Sequence, residues 1–425
     1  MQLIYTILHY IAMPFILLRL LWRSRRINEY RKRWNERFGY IAAVPEKSIW
    51  IHAVSVGETI AAIPLIKALI KQYPQYTVIV TTTTPTGSSL VTQNLKNQVM
   101  HVYAPFDLPN AIRRFLRRTN IKLCIIMETE LWPNLFSICW KKSIPIILAN
   151  GRLSERSSLR YQLIAKLAKK MLNCCDTVIA QSVLDSERYL RLGLDPKKLF
   201  ISGNIKFDIQ IPDDLISQAR LIKNQINNRL VLIAASTHAG EENIVLDAFS
   251  QIRKKIPDLL LILAPRHSNR SQQVAQLCRA HHFEINFRTK KSLIDHSTDI
   301  VLIDTIGELL MIYAVSDIAF VGGSFVPVGG HNLLEPAALG LPILSGPNLQ
   351  NFTEISNLLK NAGALHIISN ANQLADTVLT LCASKELREK MGQCALKVIA
   401  ENRGALQKHL NCIESFFKAE QIECG

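Results

Sequence analysis

The sequence predicts an α/β protein built from two doubly wound, Rossmann-like domains. The chain has 425 residues, which is too long for one ordinary hydrophobic core. Short apolar runs alternate with longer amphipathic stretches, a pattern typical of parallel sheets with helices on both faces. The alternation stops at a polar stretch, residues 207–228, and then begins again. Because such sheets bind ligands at the carboxyl ends of their strands, we expect a site in the cleft between two facing domains.

Five buried strands are predicted in each block. In the first block they cover residues 48–54, 76–82, 122–127, 145–149 and 177–180. In the second block they cover residues 230–234, 259–263, 299–303, 317–321 and 341–344. The resulting organisation is an N-terminal apolar helix with a basic flank (1–38), an N-terminal domain (39–206), a linker (207–228), a C-terminal domain (229–402) and a C-terminal helix (403–425) that can pack back on the N-terminal domain.

The charge of the chain is concentrated in its first half. Hydrophobic residues make up 48% and charged residues 20%, which excludes a disordered chain and a polytopic membrane protein. The net charge is +16. Residues 1–205 hold 29 basic and 12 acidic side chains, a net +17, whereas the remainder holds 21 basic and 22 acidic, a net −1. This segregation indicates that only one domain meets an anionic partner.

The cysteines predict neither disulfides nor a zinc site. There are nine, an odd number, without a C-x-x-C pair and without histidines at metal-ligand spacing. They are Cys124, Cys139, Cys174, Cys175, Cys278, Cys382, Cys394, Cys412 and Cys424. We therefore expect free thiols in a reducing compartment.

The N-terminal segment predicts membrane attachment. Residues 3–22 are nearly all apolar and are followed by a cluster of arginines and lysines. A secretory signal would carry its positive charge before the apolar run and a cleavage site after it. About 20 apolar residues can just span a bilayer, and the basic flank would then keep the rest of the chain in the cytoplasm. A helix lying in the membrane interface is the alternative, and a buried core helix is a third interpretation.

Four polar side chains of the first block are candidates for chemistry. Glu58 follows the first strand in the segment S-V-G-E-T, at residues 55–59, although a glutamate in a first helical turn also simply complements the helix dipole. Glu128 and Glu130 leave a buried strand, and alternation places them on the same side while the chain stays extended. Lys206 lies at the domain junction, where it is either a solvated lysine or a partner of an anionic leaving group.

The second block carries candidates for binding phosphate and ribose. Arg266 follows a buried strand, and its planar guanidinium suits phosphate. Residues 304–309 repeat the pattern of strand end, glycine and helix. Four glycines in residues 322–330 precede a predicted helix whose N-terminal amides can meet a phosphate, and Glu335 can accept hydrogen bonds from ribose hydroxyls. A flexible loop without a ligand is the alternative for this segment.

Several common motifs are missing from the sequence. There is no G-x-x-x-x-G-K-[ST], no H-E-x-x-H, no G-x-G-x-x-G after the first strand of either block, and no D-x-D. A P-loop ATPase, a zinc protease, a standard dehydrogenase and a glycosyltransferase that uses a D-x-D metal site are therefore disfavoured.

Taken together, these motifs resemble those of the 3-deoxy-D-manno-octulosonic acid (Kdo) transferases of lipopolysaccharide synthesis. The similar segments are S-V-G-E-T (55–59), T-P-T-G-S (84–88), M-E-T-E-L-W-P-N (127–134), A-P-R-H (264–267), F-V-G-G-S…G-G-H-N-x-L-E (320–335) and N-x-G-A-L-Q (402–407). The resemblance implies a GT-B type fold. It also implies an inverting transferase that moves Kdo from CMP-Kdo to the lipid A precursor, lipid IVA, without a cofactor or catalytic metal, on the cytoplasmic side of the bacterial inner membrane.

The resemblance also implies roles for individual residues. Glu58 would be the proton acceptor, and Glu128 and Lys206 would stabilise the transition state. The N-terminal domain would bind the acceptor at an anionic membrane surface, and nucleic acid is not expected as a partner. The C-terminal domain would bind CMP through Pro265, Arg266, Ile306, Gly307, Glu308, Asn332, Leu333, Leu334 and Glu335.

Two other functions remain open from the sequence. One is a related enzyme of the same fold, such as a UDP-sugar transferase or epimerase. The other is a membrane-docked regulator that binds a nucleotide, for which Glu58 would be dispensable. The number of Kdo residues transferred and the oligomeric state are not determined by the sequence.

Overall fold

The computed structural model describes residues 1–25, 27–226, 228–290 and 297–423. The chain forms two compact units. The first unit contains Met1–Asp208 and Asn402–Gly425, and the second contains Ile209–Glu401. Each unit holds one seven-stranded sheet flanked by helices, and the strand pairs are parallel. The predicted fold class, two doubly wound α/β domains preceded by an apolar helix, is confirmed.

The sheet of the first unit has the strand order β3-β2-β1-β4-β5-β6-β7. Its strands are β1 (Val44–His52), β2 (Thr77–Thr82), β3 (Met100–Tyr103), β4 (Thr119–Met127), β5 (Ile146–Gly151), β6 (Thr177–Ala180) and β7 (Leu199–Ile201). The central strands are buried on both faces, which is why they are long apolar runs in the sequence. The order reverses between β1 and β4, so the carboxyl ends of these two strands border the crevice where such sheets bind ligands.

Helices cover both faces of this sheet. They are α1 (Gln2–Ser24), α2 (Trp34–Arg37), α3 (Val56–Gln72), α4 (Pro85–Leu95), α5 (Pro109–Arg117), α6 (Pro133–Lys141), α7 (Glu155–Gln162), α8 (Ala165–Asn173) and α9 (Val183–Arg191). Several begin at a serine or threonine whose hydroxyl accepts a backbone N–H, as Ser55 does for α3 and Thr84 for α4. Helix α1 is long and apolar enough to cross a membrane by length and composition.

The sheet of the second unit has the order β10-β11-β9-β8-β12-β13-β14. Its strands are β8 (Val231–Thr237), β9 (Leu260–Pro265), β10 (Ile285–Phe287), β11 (Ile300–Leu302), β12 (Ile318–Val321), β13 (Ile343–Ser345) and β14 (Leu365–Ile367). Here the order reverses between β8 and β12. The helices of this unit are α10 (Leu215–Gln225), α11 (Glu241–Arg253), α12 (Ser271–Ala280), α13 (Leu309–Val315), α14 (Leu334–Ala338), α15 (Thr353–Asn361), α16 (Ala371–Ala383) and α17 (Lys385–Asn402).

The last helix, α18 (Ala405–Glu423), belongs to the first unit. Its apolar residues Leu410, Ile413 and Phe417 lie in the same hydrophobic cluster as α3. The carboxylate of Asp208 accepts hydrogen bonds from the backbone N–H groups of Gly404 (2.7 Å) and Leu406 (2.6 Å). The chain thus returns to its first unit after completing the second.

The sequence missed four strands, and all four are edge strands. They are β3, β7, β10 and β14, each three or four residues long. An edge strand packs on fewer neighbours, so it does not need a continuous apolar run, and parts of β7 are exposed. The strong signals therefore came from the central strands only.

The stretch predicted as a linker, residues 207–228, contains helix α10 and is grouped largely with the second unit. The charge segregation follows the two units closely. The first holds 33 basic and 16 acidic residues, a net +17, and the second holds 17 and 18, a net −1. The eight cysteines within the described ranges are free thiols, while Cys424 lies outside those ranges.

Candidate active site

Glu58 lies at the carboxyl end of β1, in the first turn of α3. Its carboxylate accepts a hydrogen bond from the Ser55 hydroxyl (2.7 Å) and another from the backbone N–H of Val54 (2.7 Å). The Ser55 hydroxyl in turn accepts the N–H of Glu58, so the two side chains form a reciprocal cap. The simpler interpretation, that Glu58 is a first-turn glutamate of a helix, is therefore structurally correct. It does not explain the raised pKa of this carboxyl group.

The environment of Glu58 suits a proton acceptor at neutral pH. The side chain is buried. Burial, with a further contribution from the Glu130 carboxylate, raises the pKa of Glu58 from 4.5 to about 7. A general base is most effective when its pKa is close to the working pH. A glutamate that only capped a helix would stabilise the helix best in its ionised form, and so with a low pKa. The raised pKa of Glu58 therefore points to a catalytic role.

Glu128 and Lys206 form an ion pair beside this glutamate. The Nζ of Lys206 lies 2.8 Å from the Oε1 of Glu128, and both side chains are largely buried. Glu128 is the first residue after β4, so the pair lies at the same reversal of strand order as Glu58. The negative charge of the Glu128 carboxylate contributes to the raised pKa of Glu58. The expectation that the chain stays extended here is wrong, because Glu128 has a φ of 54° and turns out of the strand.

Glu130 and Trp132 complete the acidic side of the site. The indole N–H of Trp132 donates to Glu130 at 2.6 Å. Burial raises the pKa of Glu130, and the nearby Glu128 carboxylate adds to the shift. The Trp132 ring also packs edge-on against His52, the last residue of β1, at a centroid distance of 4.5 Å. Trp132 therefore holds the Glu130 carboxylate and connects it to the end of β1.

Lys206 is positioned by a chain of hydrogen bonds that begins in the C-terminal helix. The Nε2 of His409 accepts the backbone N–H of Asn150 at 2.8 Å. The Asn150 side chain accepts the N–H of Ile205, and the Asn204 side chain accepts the N–H of Lys206, both at 3.0 Å. The sequence does not predict this series of hydrogen bonds, because nothing in it connects residue 409 with residue 150.

In the second unit, the glycine-rich loop after β12 is already occupied by a side chain. Glu241, fully buried at the start of α11, accepts the backbone N–H groups of Gly323, Ser324 and Phe325 at 2.6 to 2.9 Å. It also accepts the N–H of His238 at 2.9 Å. The backbone N–H groups of residues 323–325 are therefore not available to a phosphate.

The helix that follows this loop also differs from the prediction. Helix α14 has only five residues and no side-chain cap. Its dipole is correspondingly small, so it adds little to anion binding. The sequence signal for Glu241 was present: strand β8 is followed within a few residues by the pair Gly240-Glu241, as strand β1 is by Gly57-Glu58.

Several polar side chains lie together around the glycine-rich loop that follows β12. Asn332 donates from its amide to the Glu335 carboxylate at 3.0 Å, and burial raises the pKa of Glu335 while Arg266 opposes the shift. His238 and His331 face each other with their Nε2 atoms 2.8 Å apart. Burial, and next the charge of Arg266, lowers the pKa of His331 to about 4. Arg266 itself is exposed, so its guanidinium is accessible to an anion near Glu335 and His331.

The third predicted binding segment, Ile306–Glu308, lies at the start of α13. Gly307 has a φ of 89°, which a residue with a side chain rarely adopts. Glu308 is held by Arg288 (3.0 Å) and by the Thr305 hydroxyl; although burial opposes it, these bonds lower the pKa of Glu308. Ile306 is 77% exposed, which leaves a large apolar side chain available to a flat ligand surface.

The predicted site residues thus form two groups. Glu58, Glu128 and Lys206 come together in the first unit. Pro265, Arg266 and Asn332–Glu335 surround the reversal of strand order in the second unit, and Ile306–Glu308 follows the neighbouring strand β11. Within the described ranges, no three His, Cys, Asp or Glu side chains are grouped to hold a metal ion.

Comparison with known proteins identifies the family. Residues 32–209 match the family model of the 3-deoxy-D-manno-octulosonic-acid transferases (kdotransferases). The chain is 42% identical to the 3-deoxy-D-manno-octulosonic acid transferase of Haemophilus influenzae over 97% of its own length and 98% of the relative's. It is 31% identical to the Bordetella pertussis enzyme of the same name over 93% and 95% of the two chains.

A solved glycosyltransferase from Rickettsia africae shares the fold, with a TM-score of 0.55 and 15% identity over 88% of this chain and 99% of that one. Identity at that level supports the two-domain architecture alone. The two close relatives cover almost the whole sequence, including both groups of candidate residues. The chain therefore belongs to the family of 3-deoxy-D-manno-octulosonic acid transferases, which are glycosyltransferases.

Proposed function

We propose that this Kdo transferase moves Kdo from CMP-Kdo to the lipid A precursor, lipid IVA, with inversion and without a metal ion. The observation that supports it most is the buried Glu58, whose pKa is raised to about 7 beside the Glu128–Lys206 pair. A sugar hydroxyl is a poor nucleophile, so a base must take its proton as the new bond forms. Glu58 has the pKa near 7 that such a base needs at neutral pH.

The proposed reaction is a single displacement. The acceptor hydroxyl oxygen attacks the anomeric carbon of Kdo, its proton passes to Glu58, and the bond between that carbon and the CMP phosphate oxygen breaks. One displacement at carbon inverts the configuration. The departing CMP carries the negative charge that develops, and the cations Lys206 and Arg266 suit its stabilisation.

We propose that the second unit holds the nucleotide. Arg266, exposed at the end of β9, would bind the phosphate. Glu335, whose carboxylate is held by Asn332, would accept hydrogen bonds from the ribose hydroxyls. The exposed Ile306 would pack on the flat cytosine ring. Pro265, Gly307, Glu308, Leu333 and Leu334 would shape the backbone around these contacts.

The first unit, with its net charge of +17, would meet the phosphorylated acceptor at the cytoplasmic face of the inner membrane. Helix α1 supports membrane attachment because ten of its 23 side chains are large, apolar and exposed. Nucleic acid is not part of the proposal.

The test is a product analysis with the purified full-length chain. We expect mass spectrometry of lipid IVA incubated with CMP-Kdo to show the addition of one or more Kdo residues, with the activity unchanged in a chelator. Excess CMP should inhibit the reaction and excess UDP should not. Transfer from a UDP-sugar, or loss of activity on removal of divalent metal, would contradict the proposal.

A further inference from the structure

The loop between β12 and α14 holds one member of a pair of histidines that are in direct contact. The Nε2 atom of His331 lies 2.8 Å from the Nε2 atom of His238, which directly follows β8. The two rings are nearly parallel, with an interplanar angle of 5° and a centroid distance of 5.1 Å. Strands β8 and β12 are the neighbours at which the strand order of this sheet reverses. The pair therefore borders the crevice in which such a sheet binds its ligand.

The glycines of this loop make room for the histidine pair. A Cβ on Gly323 would lie 2.7 Å from Cδ2 and 2.8 Å from Nε2 of the His331 ring, and the φ of Gly323 is +69°. The N–H of Gly330 donates to the carbonyl of Gly323 at 2.7 Å, which ties the two ends of the loop together. Because Glu241 accepts the N–H groups of residues 323–325, the loop presents a histidine to the crevice instead of those amides.

The distance between the two Nε2 atoms requires that they share one proton. A neutral imidazole carries one N–H, and two N–H groups cannot point at each other across 2.8 Å. One ring therefore donates from Nε2, and the other accepts with Nε2 and carries its own proton on Nδ1. The donating ring keeps a bare Nδ1, which can take up a further proton. The pair then becomes a single cation with a hydrogen bond inside it.

Without a ligand, the surroundings keep the pair neutral. Burial, and next the positive charge of Arg266, lowers the pKa of His331 to about 4. Burial also lowers the pKa of His238, although the Glu241 carboxylate opposes that shift. The charged and titratable groups that face the two rings are Glu241, Arg266, His267 and Arg270. Two of these are permanent cations, and Glu241 is already bound to four backbone N–H groups, so a charged pair is favoured only when an anion enters.

The phosphate of the nucleotide is an anion of the required kind. Arg266 is the residue proposed to bind it, and after burial the charge of Arg266 has the largest effect on the pKa of His331. A phosphate monoester carries up to about two negative charges. An opposite charge within about 4 to 6 Å shifts the pKa of a titratable group by about one to three units. Binding would therefore move the pKa of the pair from about 4 to roughly 5 to 7.

We propose that His238 and His331 together form a further phosphate-binding element, which takes up one proton from solvent when the CMP phosphate binds beside Arg266. The cationic pair donates to the phosphate from Nδ1, the nitrogen that the contact between the rings leaves available. This inference rests on the proposed function for the identity of the nucleotide.

The pair then contributes to the departure of CMP. When the bond between the phosphate oxygen and the anomeric carbon of Kdo breaks, that oxygen keeps the electron pair of the bond. The acceptor proton still passes to Glu58, and the added proton stays on the histidines. The cationic pair, together with Arg266, stabilises the developing negative charge through hydrogen bonds and proximity.

The pH dependence of CMP binding tests the proton uptake. Calorimetry with the full-length chain gives the Kd of CMP from pH 5 to pH 8, expressed for the dianion because the second pKa of the phosphate is about 6. We expect this Kd to decrease about tenfold from pH 8 to pH 5, since a bound-state pKa near 6 adds affinity below it. The added affinity is lost as the pH rises through that pKa. Cytidine, which has no phosphate, should bind equally over the whole range.

His331→Gln is the matched variant. The glutamine amide can donate to His238 as an imidazole does, but it cannot take up a proton. Its profile should be flat, so its deficit relative to the wild type should grow about tenfold from pH 8 to pH 5. His238→Gln should behave in the same way, because the proton is shared. The control is His366→Gln, which changes an exposed histidine on the edge strand β14 and should leave the profile unchanged.

A flat profile of the wild type would overturn the proposal. An equal rise in His331→Gln would also overturn it, because another group, such as His267, would then carry the titration. Thermal unfolding verifies that the variants are folded. A chain that binds CMP with a flat profile refutes this inference alone and leaves the proposed function intact. A chain that binds no CMP at any pH refutes the nucleotide site of the proposed function, and the inference falls with it.

Discussion

Replacing Glu58 with glutamine tests the centre of the proposed mechanism. Glutamine has nearly the same shape and can still accept the hydrogen bond from the Val54 N–H, but it cannot take up a proton at neutral pH. We expect turnover to fall by about 10²- to 10⁴-fold, the usual contribution of a general base. The affinity for CMP should barely change, because the nucleotide contacts are proposed for the second unit.

The size of the pH effect follows from the acidity of Glu58. Its shift from 4.5 to about 7 means that ionising this carboxyl costs about 3 kcal/mol more than ionising it in water. The basic form then makes up about a tenth of the enzyme at pH 6 and about nine tenths at pH 8, so kcat/KM should rise roughly tenfold between them. Below pH 6, each further unit should cost about a factor of ten.

The assay is initial-rate transfer from CMP-Kdo to a detergent-solubilised acceptor, measured from pH 5 to pH 9. The wild type should show an ascending limb with a midpoint near 7, and Glu58→Gln should show no such limb in its residual rate. A wild-type midpoint near 4.5 would mean that Glu58 titrates as an ordinary glutamate. Near-normal turnover by the variant would refute the assignment of Glu58 as the base.

Other variants test the surroundings of Glu58 and the nucleotide side. Glu130→Gln removes a charge that raises the pKa of Glu58, so the midpoint of the pH profile should move down by about one unit; an unmoved midpoint contradicts that coupling. Arg266→Ala should weaken CMP binding about 10- to 100-fold by calorimetry, with the exposed Arg279→Ala as the unaffected control. Glu241→Gln places an amide donor against backbone N–H groups and should destabilise the second unit by about 2 kcal/mol or more in urea denaturation, unlike the exposed Glu386→Gln.

The sequence was informative where one local segment determines the structure. The segment S-V-G-E-T predicts both the end of a strand and the cap of a helix, and the structure has both, with Glu58 in the first turn of α3. The central strands were recognisable because burial on both faces requires a run of apolar residues. The edge strands β3, β7, β10 and β14 carry no such requirement and were missed.

The sequence was less informative where distant residues meet. Glu128 leaves the extended conformation because its φ is positive, which its neighbours in the sequence do not indicate. The amides of residues 323–325 look free in the sequence, yet Glu241, more than 80 positions earlier, accepts them all. Gly322 allows the close approach of this buried carboxylate, since a Cβ on Gly322 would lie 2.9 Å from the Glu241 oxygen. Long-range contacts of this kind depend on the tertiary fold.

The return of α18 to the first unit has a consequence for how the chain folds during synthesis. Residues 209–401 must be translated between the two parts of that unit, which takes roughly 10 to 40 s at about 5 to 20 residues per second. Throughout this delay the surface of α3 that later receives Leu410, Ile413 and Phe417 has no cover. The hydrogen bond from Asn150 to His409 is also unmade, and with it the support of the Lys206 segment. The nascent first unit is therefore incomplete until the last helix leaves the ribosome, and the second unit is the first to be able to finish folding.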